Sequence, residues 1–428
     1  MKRFKFPSIT LAGLLCLSAH NAAAQDKPVT TMEEVVVTAT RTNTVLDKVG
    51  GSSVTVITRE EIDRKNQHTV REVLKGVAGL DIKANGGPGT TTTAHLRGAD
   101  DKNTLVLVDG IIFNDPSLAN RGANLANLTV DNIERIEIVR GPMSVLYGSN
   151  ATAGVISIIT RKGEGKPSGY VGAEGGSYKT WKTYGGASGR LDKLDYSLAA
   201  AYIETDGFSI ADDDNDRINN TGNTSEEDGW RNGTISTRVG YEFTPDFSVD
   251  TTVRYMESMV ELDDYDFMSG NAADRYSFVG GLEPNGLKER HTESEELLGR
   301  IAFHNDLFDD ALGSDLAFQF TNHERDSFDN DGRLAYDYDG ESTDVNWQGS
   351  LRPADWNVTT VGIGFLHEEM ESSSNGIDER RAEIISYWLQ EQFFVGESLD
   401  VIVGARMDQH DRFGSELTYR IAPAYTLY

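Results

Sequence analysis

From Gly169 onward, apolar and polar residues alternate in runs joined by two kinds of connection, and this pattern limits the fold more than any other feature. Ile235, Thr237, Val239, Tyr241 and Phe243 interleave with Thr234, Ser236, Arg238, Gly240 and Glu242. Thr244-Pro245-Asp246 turns the chain, and Phe247, Val249, Thr251, Val253 and Tyr255 then interleave with Ser248, Asp250, Thr252 and Arg254. Side chains on a strand point alternately to opposite faces, so each run has one apolar and one polar side. A soluble antiparallel sheet with one wet face shows the same alternation. The connections separate the two cases. Segments 190–193, 244–246, 306–314, 353–355 and 395–397 are short, whereas 204–229, 257–296, 323–343 and 368–379 are mostly long and acidic. Up-and-down membrane barrels alternate short turns on one side with longer loops on the other, and their apolar rows end in aromatics. Tyr196, Tyr202, Phe243 and Phe247 stand at such row ends. Residues 168–428 are therefore predicted to be an antiparallel transmembrane β-barrel wall.

The N-terminus fits an exported protein. Lys2, Arg3 and Lys5 precede a short apolar core at 9–17, and Ala22-Ala23-Ala24 offers a small-residue cleavage site, so residues 1–24 read as a signal peptide. The single cysteine, Cys16, lies inside that segment after Leu15, a poor lipoprotein match, which leaves the mature chain without a thiol or a Cys-based metal site. Lys and Arg total 40 against 68 Asp and Glu, a net charge of -28, which argues against nucleic acid as a partner. No run after the N-terminus is apolar and long enough for a helical span.

Residues 45–165 read as a small mixed α/β domain. Ser53-Val54-Thr55-Val56-Ile57 has strand character, and Thr58 with Glu61 and Thr69 with Glu72 have capping-box spacing for two short helices. Leu80-Asp81-Ile82-Lys83 runs into Asn85-Gly86-Gly87-Pro88-Gly89, a loop permissive for positive φ. Leu105-Val106-Leu107-Val108 is closed by an Asp109-Gly110 turn, and Ile133 to Val139 alternates as a further strand. The segment RGPMSVLYGSNATAGVISIITRK, from Arg140, reads as a Gly141-Pro142 turn, an apolar strand at Val145-Leu146-Tyr147, a break at Gly148, and a second strand at Val155-Ile156-Ser157-Ile158-Ile159. Before this domain lies Glu34-Val35-Val36-Val37-Thr38-Ala39, a β-prone run after a short polar tail (25–44 in all). Such a segment can pair its backbone with another protein's sheet edge, or it can be an ordinary first strand.

The wording from Arg140 to Lys162 closely resembles the end of the plug domain in TonB-dependent outer-membrane transporters, and the likeness extends over about 34–162. The resemblance implies a mixed fold, an N-terminal α/β plug inside an antiparallel β-barrel, in the outer membrane of a Gram-negative bacterium. It implies that Glu34, Val35, Val36, Val37, Thr38 and Ala39 form the TonB box, with TonB, ExbB and ExbD as partners of a monomeric receptor. It also implies that Arg97 and Arg140 seat the plug against carboxylates of the wall, a role suited to the planar guanidinium fork. Asn85, Phe113 and Asn114 are the candidate ligand contacts. The short tail before the box leads us to expect no signalling domain of the kind some members carry there.

Two outside loops concentrate carboxylates, Asp212, Asp214 and Asp216 in one and Asp263, Asp264 and Asp266 in the next. Hard oxygen ligands at this density suit structural Ca²⁺, although Arg217 stands where an EF-hand needs Gly, and a hydrated acidic loop is the simpler account of them. The resemblance is greatest to the cobalamin branch, whose members order such loops with calcium. Import of cobalamin is thus the first expectation, with a ferric siderophore or haem as the alternative; a passive channel or surface adhesin needs neither box nor plug. No cofactor is expected. His291, His304, His323 and His367 lack triad or ligand spacing, so no enzyme is expected.

Size adds one further expectation. About twelve strands can be counted, which would close at roughly 25 Å, whereas a plug of this length is a globule about 36 Å wide. Roughly 22 strands are needed to hold it. The chain is therefore expected to be the N-terminal part of a longer protein, with about ten strands missing, and the aromatic Tyr428 to be a coincidence rather than a barrel's end.

Overall fold

The computed structural model describes residues 35–36, 44–45, 52–208, 227–262, 290–308, 311–329, 332–354, 356–374, 376–396 and 398–426. Strands β1 (Val35–Val36) and β2 (Thr44–Val45) pair with each other. The plug follows: β3 (Ser53–Thr58), α1 (Arg59–Lys65), α2 (Val70–Leu74), β4 (Leu80–Ala84), β5 (Thr92–Leu96), β6 (Thr104–Val108), β7 (Ile111–Ile112), β8 (Ile133–Arg140), α3 (Ser144–Tyr147) and β9 (Gly154–Thr160). Both helix starts obey their local signals. The Thr58 hydroxyl accepts from the Glu61 amide, and Thr69 with Glu72 completes a reciprocal capping box, so orphan amides find partners. Five strands form one sheet in the order β3-β8-β9-β6-β7, in which only β6 and β9 run parallel. Ile57, Val106, Ile136, Ile138, Ile156 and Ile158 bury its inner face under Ile62, Val70 and Leu74 of the helices.

One element differs from its sequence reading. Val145-Leu146-Tyr147 is helical, not a strand: the amides of Leu146 and Tyr147 donate to the Met143 carbonyl and that of Gly148 to Ser144. Gly141 and Gly148, both at positive φ, bracket the segment too closely for a strand to run, and a single turn buries Val145 and Leu146 instead.

Twelve strands then form one antiparallel sheet in strict chain order. They are β10 (Ser168–Gly175), β11 (Trp181–Leu191), β12 (Leu194–Thr205), β13 (Trp230–Thr244), β14 (Phe247–Glu261), β15 (His291–Leu307), β16 (Leu312–Phe328), β17 (Leu334–Ala354), β18 (Asn357–Ser372), β19 (Ile377–Val395), β20 (Leu399–His410) and β21 (Gly414–Tyr425). Among the described residues β10 and β21 are its two edges, and neither closes on the other.

The wall is inside out. Val253, Phe318, Ile363, Ile385, Leu389 and Val403 are exposed, while Thr252, Arg254, Gln319, Ser386 and Gln390 are buried on the opposite face. A soluble sandwich buries the apolar row; only a hydrocarbon solvent rewards exposing it. Aromatics cluster beside the short turns, where Phe243 stacks with Phe247 at 5.3 Å and Trp356 with Phe393 at 6.2 Å. Several segments read as loops prove to be strand. β16 continues to Phe328 and β17 starts at Leu334, so most of 323–343 is paired backbone, as is much of 368–379. Their charge made them look like loops, but β17 alone has 21 residues where about 9–11 cross a bilayer. The excess stands in water, where acidic strand residues are harmless.

Plug and wall meet through both apolar and ionic contacts. Met256 and Leu298 of the wall belong to the plug's main core, and Trp388 packs with Leu105, Val139, Leu146 and Val155. The Lys182 ammonium lies 2.7 Å from the Asp131 carboxylate, 4% and 9% exposed respectively. Arg238 reaches toward Asp109 at 3.7 Å and Arg325 toward Asp115 at 3.6 Å. Arg254 donates to the Thr129 carbonyl at 3.4 Å. In the opposite sense, Arg121 of the plug pairs with Glu368 of the wall.

Removing one partner of a buried pair leaves the other charge stranded. Lys182→Met should therefore lower the stability of the seated plug by about 3–5 kcal/mol, read as a lower thermal midpoint and faster proteolysis of the plug. Adding Asp131→Asn should recover part of the loss. Equal stability of Lys182→Met and the parent would contradict a buried ion-paired seat.

Candidate functional site

Three regions carry the residues singled out by sequence: the tail, the face of the plug toward the long connections, and the adjacent arginines. In the tail, Val35 and Val36 adopt strand conformation and pair antiparallel with Val45 and Thr44. Glu34, Val37, Thr38 and Ala39 lie outside the described residues, as do Asp212, Asp214, Asp216, Asp263, Asp264 and Asp266. Among the described residues the tightest carboxylate group is Glu369, Glu371 and Glu379, and Arg381 pairs with two of its members.

Arg97 and Arg140 are neighbours, both close to Gly79. Arg140 is buried and donates to the Thr55 hydroxyl at 2.8 Å, which ties the end of β8 to β3. Burial, and then the adjacent Arg97 charge, pull its guanidinium below the ordinary arginine pKa. Its Nε is buried without a partner, and among the described residues no carboxylate comes within ion-pair reach of either arginine. The wall carboxylate that meets a plug arginine is Glu368, and it meets Arg121 instead.

The face of the plug toward the long connections is built from two loops. The first joins β4 to β5 and holds Asn85. The Arg71 fork donates to the carbonyls of Gly87 at 2.8 Å and Gly86 at 3.3 Å, and the Thr90 hydroxyl donates to Gly87 at 2.9 Å. The Asn85 amide closes the loop on the Thr91 carbonyl. The second loop follows β7. Phe113 is fully buried there, edge-on to His323 of the wall at 5.3 Å. Asn114 is buried too: its side chain accepts from the Val106 amide at 2.9 Å and donates to the carbonyls of Thr104 and Arg121. Both are thus engaged in holding the loop, and Asn85 alone of the three belongs to the glycine loop. Asp115 caps its own turn through the Ser117 amide and hydroxyl.

Sequence reasoning missed the wall residues that grip the plug, namely Lys182, Arg254, Arg325 and Glu368 at the loop after β7 and Arg238 at the Asp109 turn. The usable signal was a charge on the face of a strand that faces the plug, visible once the exposed face is known to be apolar. Of the histidines, His304 bridges Asp250 and Asp315 at 2.5 Å each, an ion-paired arrangement with both ring nitrogens engaged.

Comparison with known proteins agrees with this architecture. Residues 48–155 match the family model described as the TonB-dependent receptor plug domain. The chain is 25% identical over 414 residues, 96% of its length, to the vitamin B12 transporter BtuB of Photobacterium profundum, and covers 62% of that protein. It is 32% identical over 263 residues to the BtuB of Vibrio vulnificus strain CMCP6, covering 40% of it. The siderophore receptor PirA of Acinetobacter baumannii superposes with a TM-score of 0.70 at 20% identity, over 88% of this chain and 59% of that one. A point mutant of the ferric enterobactin receptor PfeA of Pseudomonas aeruginosa gives 0.73 at 18% identity, over 92% and 62%. The chain therefore spans less than two thirds of the relatives it matches. With a TonB-dependent receptor plug domain at residues 48–155 seated against a wall whose lipid-facing side is apolar, this chain resembles the TonB-dependent receptors of the outer membrane.

Proposed function

We propose that the protein takes part in energy-dependent import of a scarce, large nutrient across the outer membrane, with cobalamin as the first substrate. The observation that carries this is the plug itself: a folded domain held in the wall by buried ion pairs and a shared core blocks free passage, so entry needs work done on the plug. A passive channel has no use for such an obstruction. The tail supplies the handle. Val35 and Val36 already lie in extended conformation, which suits main-chain pairing with a sheet edge of TonB, itself driven by ExbB and ExbD. A monomeric receptor whose role is transport rather than catalysis accommodates all of these features.

Cobalamin ranks first because the relatives matched along the chain are named vitamin B12 transporters. A ferric siderophore is the second reading, favoured by the solved siderophore and ferric enterobactin receptors that share the fold. Haem belongs to the same alternative. Arg97 and Arg140 are assigned to seating, as cations awaiting a carboxylate, and the six loop aspartates to calcium.

Equilibrium binding to cyanocobalamin and to a ferric catecholate, on receptor in outer-membrane vesicles, separates the two substrates: saturable binding of cyanocobalamin alone is expected, and binding of the iron complex alone would transfer the assignment. Val36→Pro removes a backbone donor and fixes φ, so uptake should fall to the level seen after the proton-motive force is dissipated, while ligand binding persists. Undiminished uptake by this variant would remove the box from the mechanism. Millimolar Ca²⁺ should tighten cyanocobalamin binding, and replacing Asp212, Asp214 and Asp216 with Asn should abolish that gain. A flat calcium titration would leave those residues as a solvated acidic loop.

A further inference from the structure

The loop 85–89 contains three glycines in five residues and would sample many conformations on its own. Arg71, Thr90 and the Thr91 carbonyl restrain it from within the plug. Among the described residues, the wall meets it at Trp230. Trp230, the first residue of β13, lies directly over Gly89: a Cβ at that position would stand 2.1 Å from the indole Cδ1 and 2.6 Å from Nε1. Gly89 also has φ +78, so both backbone and contact require glycine.

The indole is itself firmly held. Its backbone pairs with Thr205 on one side and Val260 on the other, and its ring packs with Ile203, Val260 and Leu262. It is 3% exposed, and its Nε1 is buried without a hydrogen-bond partner. Tryptophan usually satisfies that N–H when buried, and a phenylalanine would avoid the loss. A rigid, flat, wide ring tolerated at such a cost suggests that its shape against the bare glycine is what matters. Trp230 also stands where β13 emerges from the connection after β12, on the side of the long connections, so the contact ties the plug's glycine loop to the rim of the wall.

We propose that Trp230 is a positioning residue for ligand capture, holding the 85–89 loop in the conformation it presents to the ligand. The proposal rests on the reading that this loop, through Asn85, faces the ligand. A preformed loop loses little freedom on binding, so the latch acts on affinity rather than on the transport step. It adds a wall residue to the plug residues proposed for recognition.

The test uses the whole receptor in cells and in outer-membrane vesicles, with cyanocobalamin as probe. In Trp230→Ala, amide exchange across 85–90 should accelerate in the ligand-free protein, and the half-saturation concentration for uptake should rise about tenfold with the maximal rate retained. Trp230→Phe should restore most of both. Gly89→Ala should change both in the same direction, and the double variant should lose less than the two single losses combined, because the methyl then has no indole to displace and only its backbone cost at φ +78 remains. Unchanged exchange in Trp230→Ala, or additive losses in the double variant, would overturn the latch. Faster exchange without a change in half-saturation would overturn it too, provided Asn85→Ala does weaken uptake. If Asn85→Ala and Trp230→Ala both leave half-saturation unchanged, the reading of the loop as ligand-facing fails, and the proposal with it.

Discussion

A strand in hydrocarbon has no water to satisfy its amides and carbonyls, so each must pair with the next strand, and the wall follows from that requirement. Sequential antiparallel pairing meets it with the shortest connections, and β10 to β21 run in chain order without a crossover. Once the backbone is paired, each side chain faces either lipid or plug. Lipid selects Val253, Ile363 and Leu389; the plug side is free to carry Arg254, Gln319 and Gln390. The polar interior that a soluble protein could not sustain becomes the place where a second domain is bound.

That binding has a prevailing sense of charge. Cations of the wall, Lys182, Arg238 and Arg325, meet Asp131, Asp109 and Asp115 of the plug, while Arg121 with Glu368 and the contact of His68 with Glu174 run the other way. Against a net charge of -28, these wall cations lie where desolvation makes each contact strongest. Shape accompanies charge: Met256 and Leu298 enter the plug core, and Trp230 covers Gly89, which has no side chain to oppose it. Arg97 and Arg140 stand apart from this scheme, adjacent to each other and without a carboxylate among the described residues.

How much of this could be read from the chain depended on distance along it. The period-two runs, the Asp109-Gly110 turn, the cap at Thr58 and the capping box at Thr69 are local, and each was legible because a few neighbouring residues settle it. The plug's likeness to a known family was equally legible, since its motifs are short and close together. The segment Val145-Leu146-Tyr147 misled because three apolar residues fit a strand or a helical turn, and the flanking glycines decide between them only through φ. The acidic stretches beyond the apolar rows misled because charge suggests a loop wherever the strand is assumed to end at the membrane surface. The ion pairs of the seat were not legible at all. Arg121 and Glu368 are 247 residues apart, and no local pattern links them.

Trp388 points to a consequence for inheritance. A Cβ on Gly362 would stand 2.0 Å from its ring, so the wall makes room for the indole by omitting a side chain on the neighbouring strand, and the ring then packs with Leu105, Val139 and Leu146 of the plug. The inner surface of the wall is thereby cast to one plug, as a mould is to one object. Recombination that joined this wall to another receptor's plug would place the indole against a surface not shaped for it. Plug and wall are therefore fitted to each other in shape, even though they look like separable domains.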